Sequence, residues 1–217
     1  MLINSVLSSL ALYMVSFFEI PKEVLKRLDH FRSRFFWQGN DKKKKYRLIK
    51  WSIICRPKEQ GGLGILDLEI QNKCLLEKWL YKLLNENGTW QQLLRTKYLG
   101  NKSLTQVYAK PGDSQFWKGL MGVKEQFIQF GRFVLKDGSQ IRFWEDKWLG
   151  NTTLGEQYPI LYNTVRAKHD TVASVLASDP PNVSFRRYLV GEKLIAWQNL
   201  LQRLSTVHLI NERDIFK

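Results

Sequence analysis

Residues Asp67 to Leu84 read DLEIQNKCLLEKWLYKLL. Leu68, Leu75, Leu76, Trp79, Leu80 and Leu83 fall on one stripe at helical spacing, with polar residues between them. Asp67 stands where a side-chain oxygen can cap the first free N–H groups of a helix, and Asn87-Gly88 supplies the stop. The stretch holds neither Pro nor Gly. It predicts a long, half-buried helix and sets the fold class as mainly α unless the flanking sequence contradicts it.

On the N-terminal side, Gly61-Gly62-Leu63-Gly64-Ile65 invites comparison with a phosphate-binding loop. That loop needs a Gly-Lys-Ser/Thr ending after a strand, and none follows here. The glycines read instead as a tight turn with close backbone approach. Arg47 to Cys55 carries an apolar pattern in Leu48, Trp51 and Ile54. Further back, Lys22 to Trp37 predicts an amphipathic helix whose stripe is Val24, Leu28, Phe31 and Phe35, with Pro21 suited to its first turn and Gly39 to its end. Phe31 and Phe35 are therefore expected in the core. Leu2 to Phe17 is apolar on nearly every side and predicts a buried helix.

On the C-terminal side, Thr89 to Leu99 predicts a shorter helix with Trp90, Leu93, Leu94 and Tyr98 inward, and residues 100–112 read as a polar loop. Asp113 or Ser114 caps a helix through about Phe127 that carries Phe116, Trp117, Leu120, Met121 and Val123. The period then changes. Arg132-Phe133-Val134-Leu135 and Gln140-Ile141-Arg142-Phe143-Trp144 flank an Asp137-Gly138 pair, a hairpin signal. Short helices are expected over Leu161–Lys168 and Val172–Ala177, a break at Pro180-Pro181, and a last helix over Glu192–Val207 with Leu194, Trp197, Leu200, Leu201 and Leu204 inward. The fold class is thus mainly α, a thumb-like helical bundle and connector helices with one small β-hairpin near 132–144. Three segments are expected: 1–60, basic and helical; 61–130, a helical connector; and 131–217, the hairpin plus short helices.

The formal net charge of the 217 residues is +14. Between Lys22 and Lys58 there are thirteen Lys and Arg against three Asp and Glu, a local balance of +10. The rest of the chain holds 21 and 17, a balance of only +4. The basicity is a patch, which points to a polyanionic partner. Its centre is Phe31 to Trp51, FRSRFFWQGNDKKKKYRLIKW. Arg32, Arg34, Lys42, Lys43, Lys44, Lys45, Arg47 and Lys50 are the candidate phosphate track. Trp37, Tyr46 and Trp51 are rings that could stack on bases or close a core. A solvated basic face or a nuclear-import signal would have the same composition.

No nucleophile–base arrangement stands out. His30, His169 and His208 have no Ser or Cys at a motif spacing. Glu145-Asp146 is the only adjacent acidic pair and reads as a helix N-terminus, where the dipole favours carboxylates. Cys55 and Cys74 are too few for a disulfide scaffold and have no metal-site spacing, so they read as two reduced, largely buried thiols. Residues 2–18 lack the cationic start of a signal peptide, and polar residues interrupt them too often for a membrane span. The expected location is intracellular, nuclear or cytoplasmic, without membrane contact.

Several motifs in a fixed order carry a family resemblance. They are Asn4-Ser5-Val6-Leu7-Ser8-Ser9-Leu10, Tyr13 to Phe18, Ile20-Pro21, Phe35-Phe36-Trp37-Gln38-Gly39, Lys50-Trp51 with Cys55 and Pro57, and Gly61 to Ile65. Trp117, Gly138 and Arg142-Phe143-Trp144-Glu145-Asp146 with Trp148-Leu149-Gly150 follow. Together they resemble the region just beyond the polymerase palm in plant non-LTR (LINE-type) retrotransposon reverse transcriptases, and the likeness covers essentially the whole chain. The parent family is RNA-directed DNA polymerase, whose Tyr-x-Asp-Asp aspartates lie upstream and whose zinc-binding region lies downstream of such a segment. The Asp-Asp signature does not occur here. The resemblance therefore implies a non-catalytic fragment, a thumb and linker ending before the zinc-binding region. No cofactor is expected in this chain, Mg and Zn belonging to other parts of the parent enzyme. The implied partners are RNA and DNA, held without sequence preference along the template–primer backbone, and the palm domain. The alternatives are a structural or protein-interaction domain and an inert pseudogene product.

Overall fold

Helices dominate the computed structural model, which describes residues 12–38, 46–100 and 102–217. In order they are α1 (Leu12–Phe17), α2 (Lys22–Gln38), α3 (Trp51–Ile54), α4 (Leu68–Asn85), α5 (Thr89–Leu94), α6 (Gln115–Phe130), α7 (Leu154–Gln157), α8 (Pro159–Tyr162), α9 (Val172–Val175) and α10 (Glu192–Leu204). Two short strands, β1 (Phe133–Val134) and β2 (Ile215–Phe216), pair antiparallel. The fold is mainly α with one small β pair. Among the described residues no helix is long and apolar enough to cross a membrane. The chain divides into two compact units, residues 1–80 with 109–125, and residues 81–108 with 126–217.

The first unit is built on α4. Asp67 Oδ1 accepts from the N–H groups of Glu69 and Ile70 at 2.9 and 3.1 Å, so the expected cap is in place. Leu68, Leu76 and Leu80 are buried along the predicted stripe. Asn72 interrupts that stripe and is buried too. Its amide donates to the carbonyls of Val15 and Phe18 at 2.5 and 2.7 Å, and its oxygen accepts from Ile20 N–H at 2.9 Å. The Trp79 indole N–H donates to Ser16 O at 3.0 Å. These bonds occupy carbonyls that the short helix α1 leaves open at its C-terminal end. Phe17 completes the joint, 5.2 Å from the Trp79 ring and 5.8 Å from Phe116 on α6. Residues 1–11 of the predicted first helix lie outside the described residues.

The glycine turn does what its composition suggests. A Cβ on Gly62 would fall 2.0 Å from Arg56 O, and Gly61 and Gly64 have φ of 78° and 66°. The N–H groups of Gly61, Gly62 and Gly64 are bound to the carbonyls of Lys58, Pro57 and Arg56. They are spent on the turn itself, which leaves no cradle for a phosphate.

In the second unit the C-terminal end of α4 is closed by arginines. Arg95 donates to Leu83 O and Glu86 O, and Arg213 to Leu84 O. A hydrophobic core gathers Ile141, Phe143, Trp144, Trp148, Leu154, Leu161, Val165, Val172, Val175, Leu200 and Leu204. Most of these come from loops and single-turn helices. Capping therefore matters here, and Thr153 forms a full capping box with Glu156 at the start of α7.

Several expectations are corrected in this unit. β1 begins where the hairpin was expected, but its partner is the end of the chain rather than 140–144. Asp214 is the reason: its carboxylate accepts from the N–H groups of Lys136, Gly138 and Gln140 at 2.8, 3.0 and 3.2 Å. The turn's donors are thus taken by residue 214, and the following strand is drawn in behind them. Phe216 seats between Phe127 and Phe133, with ring centroids 4.7 and 5.0 Å away. The expected helix over Leu161–Lys168 is displaced to Pro159–Tyr162, because Pro159 at N1 sets its start. Helix α5 turns Gln91 and Leu94 inward and leaves Trp90 and Leu93 exposed, and a π-turn over Arg95–Leu99 replaces its last part. Leu194 is likewise exposed on α10.

Candidate nucleic-acid interface

Helix α2 forms where expected but presents a different face. Leu25, Arg32 and Ser33 are its buried residues, whereas Val24, Phe31 and Phe35 are exposed, Phe31 at 59%. The buried face is centred about one residue, roughly 100°, away from the apolar stripe. Phe31 and Phe35 are therefore not core. Polar geometry explains the rotation. The Arg32 guanidinium donates to Asp29 Oδ1 at 2.6 Å and to Leu66 O at 2.7 Å, and lies 5.6 Å from the centroid of the Trp51 ring.

Arg32, 3% exposed, is thereby removed from the phosphate track and becomes a tether between α2, α3 and the segment leading into α4. Trp37 and Trp51 are half-buried and pack with Ile54, Ile65 and Cys55. Phe36 stands edge-on to both, at 5.1 Å from Trp37 and 6.1 Å from Trp51. Neither indole N–H has a hydrogen-bond partner among the described residues, so both rings contribute area and shape. Arg32, Trp37 and Trp51 form a wall.

Four of the remaining candidates are exposed. Arg34 is exposed, its Nε donating only to Gln38 Oε1 at 3.2 Å. Tyr46 is 92% exposed, and Arg47 and Lys50 are exposed beside it. Lys50 occupies the N-cap position of α3, where its donor-only ammonium caps none of the N–H groups, and it is exposed to solvent. Lys42, Lys43, Lys44 and Lys45 lie outside the described residues. Arg34, Arg47 and Lys50 thus present three cations, and Tyr46 one ring, to solvent.

The Cys55 thiol is not activated. Burial first, then the Asp29 carboxylate, pushes the Cys55 thiol up to about 11. Both cysteines are free, and Cys74 is exposed on α4, contrary to the expected burial. Nor is Glu145-Asp146 a helix start. Asp146 is buried, accepting from Arg142 N–H at 2.7 Å and from the Thr105 hydroxyl at 3.0 Å. Glu145 accepts from Gln106 and Tyr162 and lies 3.2 Å from His169 Nδ1. The pair ties the 103–106 turn to the loop before α7. Its two carboxyls serve different partners and share no open site. Among the described residues no group of three or more His, Cys, Asp or Glu is gathered to hold a metal ion.

Sequence reasoning missed a second basic surface. Arg166, Arg186 and Arg187 are exposed around Tyr188 in the second unit. They are scattered over more than twenty positions, so a scan for charge runs passes over them. The signal available was the local string Phe185-Arg186-Arg187-Tyr188.

No protein-family model matches the chain, and no solved structure matches it. Two proteins of Arabidopsis thaliana do. One, named "Putative ribonuclease H protein", is 34% identical over 175 residues, covering 77% of this chain. The chain spans only 28% of that relative's length. The other, an uncharacterized mitochondrial protein, is 27% identical over 147 residues, covering 67% of this chain and 96% of its own length.

Proposed function

We propose that this chain is the post-palm segment of a plant LINE-type reverse transcriptase and that it grips nucleic acid without catalysing a reaction. The motifs quoted above support the family reading, and the likeness to plant proteins, one carrying a ribonuclease H name, agrees with a retroelement origin. The observation that carries the function is the exposure of Arg34, Tyr46, Arg47 and Lys50 in the same basic stretch whose Arg32, Trp37 and Trp51 are packed. Such a surface holds a backbone in place while a polymerase site elsewhere acts on it. RNA, DNA and their hybrid all present the phosphates it needs.

A filter-binding titration tests this. If about five phosphates are neutralised, log affinity falls against log salt with a slope of roughly −4 to −5. Absence of binding at low salt, or binding indifferent to salt, sinks the proposal. Neutralising Lys42 to Lys45 together should weaken binding. Unchanged binding would instead assign those lysines to import or solubility.

One observation favours a second reading. Val24, Phe31 and Phe35 form an exposed apolar row on α2, and such rows mark protein contacts. A domain that docks a protein, the palm included, would lose that partner on Phe31→Ser and Phe35→Ser while keeping its affinity for polyanions.

A further inference from the structure

Val165 and Phe185 face each other in an antiparallel bridge, extended by Arg166 N–H to Ser184 O at 3.0 Å and Arg186 N–H to Thr164 O at 2.8 Å. Side chains alternate across such a pair. Val165 is buried, and Phe185 packs edge-on to Trp197 at 5.1 Å. Their neighbours Arg166 and Arg186 are therefore held on the outer face. Arg187 lies in the bend that follows the bridge, and Tyr188 after it is 97% exposed. These four residues border a shallow cavity of about 720 Å³ whose lining contains no carboxylate. Among the described residues none of the three guanidiniums has an acidic partner.

We propose that Arg166, Arg186, Arg187 and Tyr188 form a binding site for single-stranded nucleic acid. Three unpaired guanidiniums gathered beside one bridge repel one another, a polyanion lying across them relieves that repulsion, and their planar forks match phosphate oxygens. Tyr188 discriminates among polyanions. Its bare ring offers a stacking face that an acidic peptide cannot use and that a duplex, with its bases already stacked, cannot reach. Backbone phosphates occupy the arginines while a base lies on the ring. The site shares no residue with the Arg34–Lys50 row, so it stands whether or not that row binds nucleic acid.

The test uses the full chain carrying Arg34→Gln, Lys42→Gln, Lys43→Gln, Lys44→Gln, Lys45→Gln, Tyr46→Ala, Arg47→Gln and Lys50→Gln, which removes the first surface. Fluorescence anisotropy is read with a labelled oligothymidine and with an abasic strand of equal length and charge. Tyr188→Ala should weaken oligothymidine binding about tenfold and leave abasic binding unchanged, and Tyr188→Trp should restore it. Arg186→Gln with Arg187→Gln should weaken both ligands and reduce the salt slope by about 1.4. Equal loss of both ligands on Tyr188→Ala, or no loss on either variant, overturns the proposal. Competition by polyglutamate at equal charge would also overturn it and assign the site to acidic proteins. All four residues are exposed, and circular dichroism verifies that each variant is folded.

Discussion

The guanidinium of Arg32 lies over the ring of Trp51, 5.6 Å from its centroid, while donating to Asp29 and to the Leu66 carbonyl. This one side chain joins three segments of the basic region. It converts part of what the composition presents as a phosphate track into a support for the rest. Arg34, two residues on, points to solvent and has no such duty.

The two arginines should therefore separate stability from binding. Arg32→Gln strands Asp29 and the Leu66 carbonyl, and breaking such a buried pair costs about 3 kcal/mol. Arg34→Gln should change stability by less than about 0.5 kcal/mol while weakening polyanion binding. Urea melts and anisotropy titrations on both variants measure the contrast.

Asn72 offers a second test, because one amide closes the end of α1. Asn72→Ala removes three hydrogen bonds and leaves the carbonyls of Val15 and Phe18 without that donor. The expected loss is about 2–3 kcal/mol. Asn72→Asp should be no better, since a carboxylate cannot donate to either carbonyl.

Asp146 makes stability depend on pH. Burial pushes its carboxyl up to about 6, against hydrogen bonds from Arg142 and Thr105 that favour the ionised form. In the unfolded chain it ionises from about pH 4. Between those values the folded state holds the extra proton, so this group's stabilisation is present below pH 4 and is lost as pH rises to 6. About two pH units at about 1.4 kcal/mol each give a loss of roughly 3 kcal/mol. Asp146→Asn should flatten this part of the stability profile, measured in a His169→Gln background so that the adjacent imidazole adds nothing.

Much of the helical frame was legible, since α2, α4 and α6 each carry a long periodic stripe and a start signal. The reading failed where a polar side chain outbid the pattern. Phe31 and Phe35 belong to the best apolar stripe of α2, yet Arg32 turns the helix because its partners Leu66 and Trp51 lie on the other side. Asp137-Gly138 signals a hairpin, yet Asp214, 76 residues beyond Gly138, takes the donors of that turn. No local window contains such a contact. The candidate surface was legible as a charge patch, but the division between Arg32 and Arg34, or between Trp51 and Tyr46, is a matter of burial that composition does not carry. The Arg166–Tyr188 surface escaped because a bridge assembles it from two distant strings.

The thiols should differ in reactivity. Cys74 is exposed, whereas burial and Asp29 hold Cys55 at about 11. The thiolate is the reactive form. Iodoacetamide at mildly alkaline pH should label Cys74 first, with Cys55 protected until denaturant is added. Mass spectrometry of peptides quenched at intervals reads the order, and equal native rates would contradict the packing of Cys55 against Ile54 and Ile65.

Asp214 provides the sharpest test of the non-local β pair. Its carboxylate is the acceptor for Lys136, Gly138 and Gln140 N–H, and the two following residues are β2. Asp214→Ala leaves three donors without their acceptor around a buried glycine, a cost of about 3 kcal/mol. Asp214→Asn keeps one carbonyl oxygen and should fall between that variant and the parent chain. The damage should also spread in a defined direction. With the turn released, the Phe133–Phe216 and Val134–Ile215 pairings lose their anchor, and Phe216 leaves its seat between Phe127 and Phe133. Hydrogen exchange should therefore accelerate at 132–140 and 212–217 while Leu76 and Leu80 keep their protection. A local hairpin closed by 140–144 would produce the opposite result, with exchange at 132–144 indifferent to residue 214.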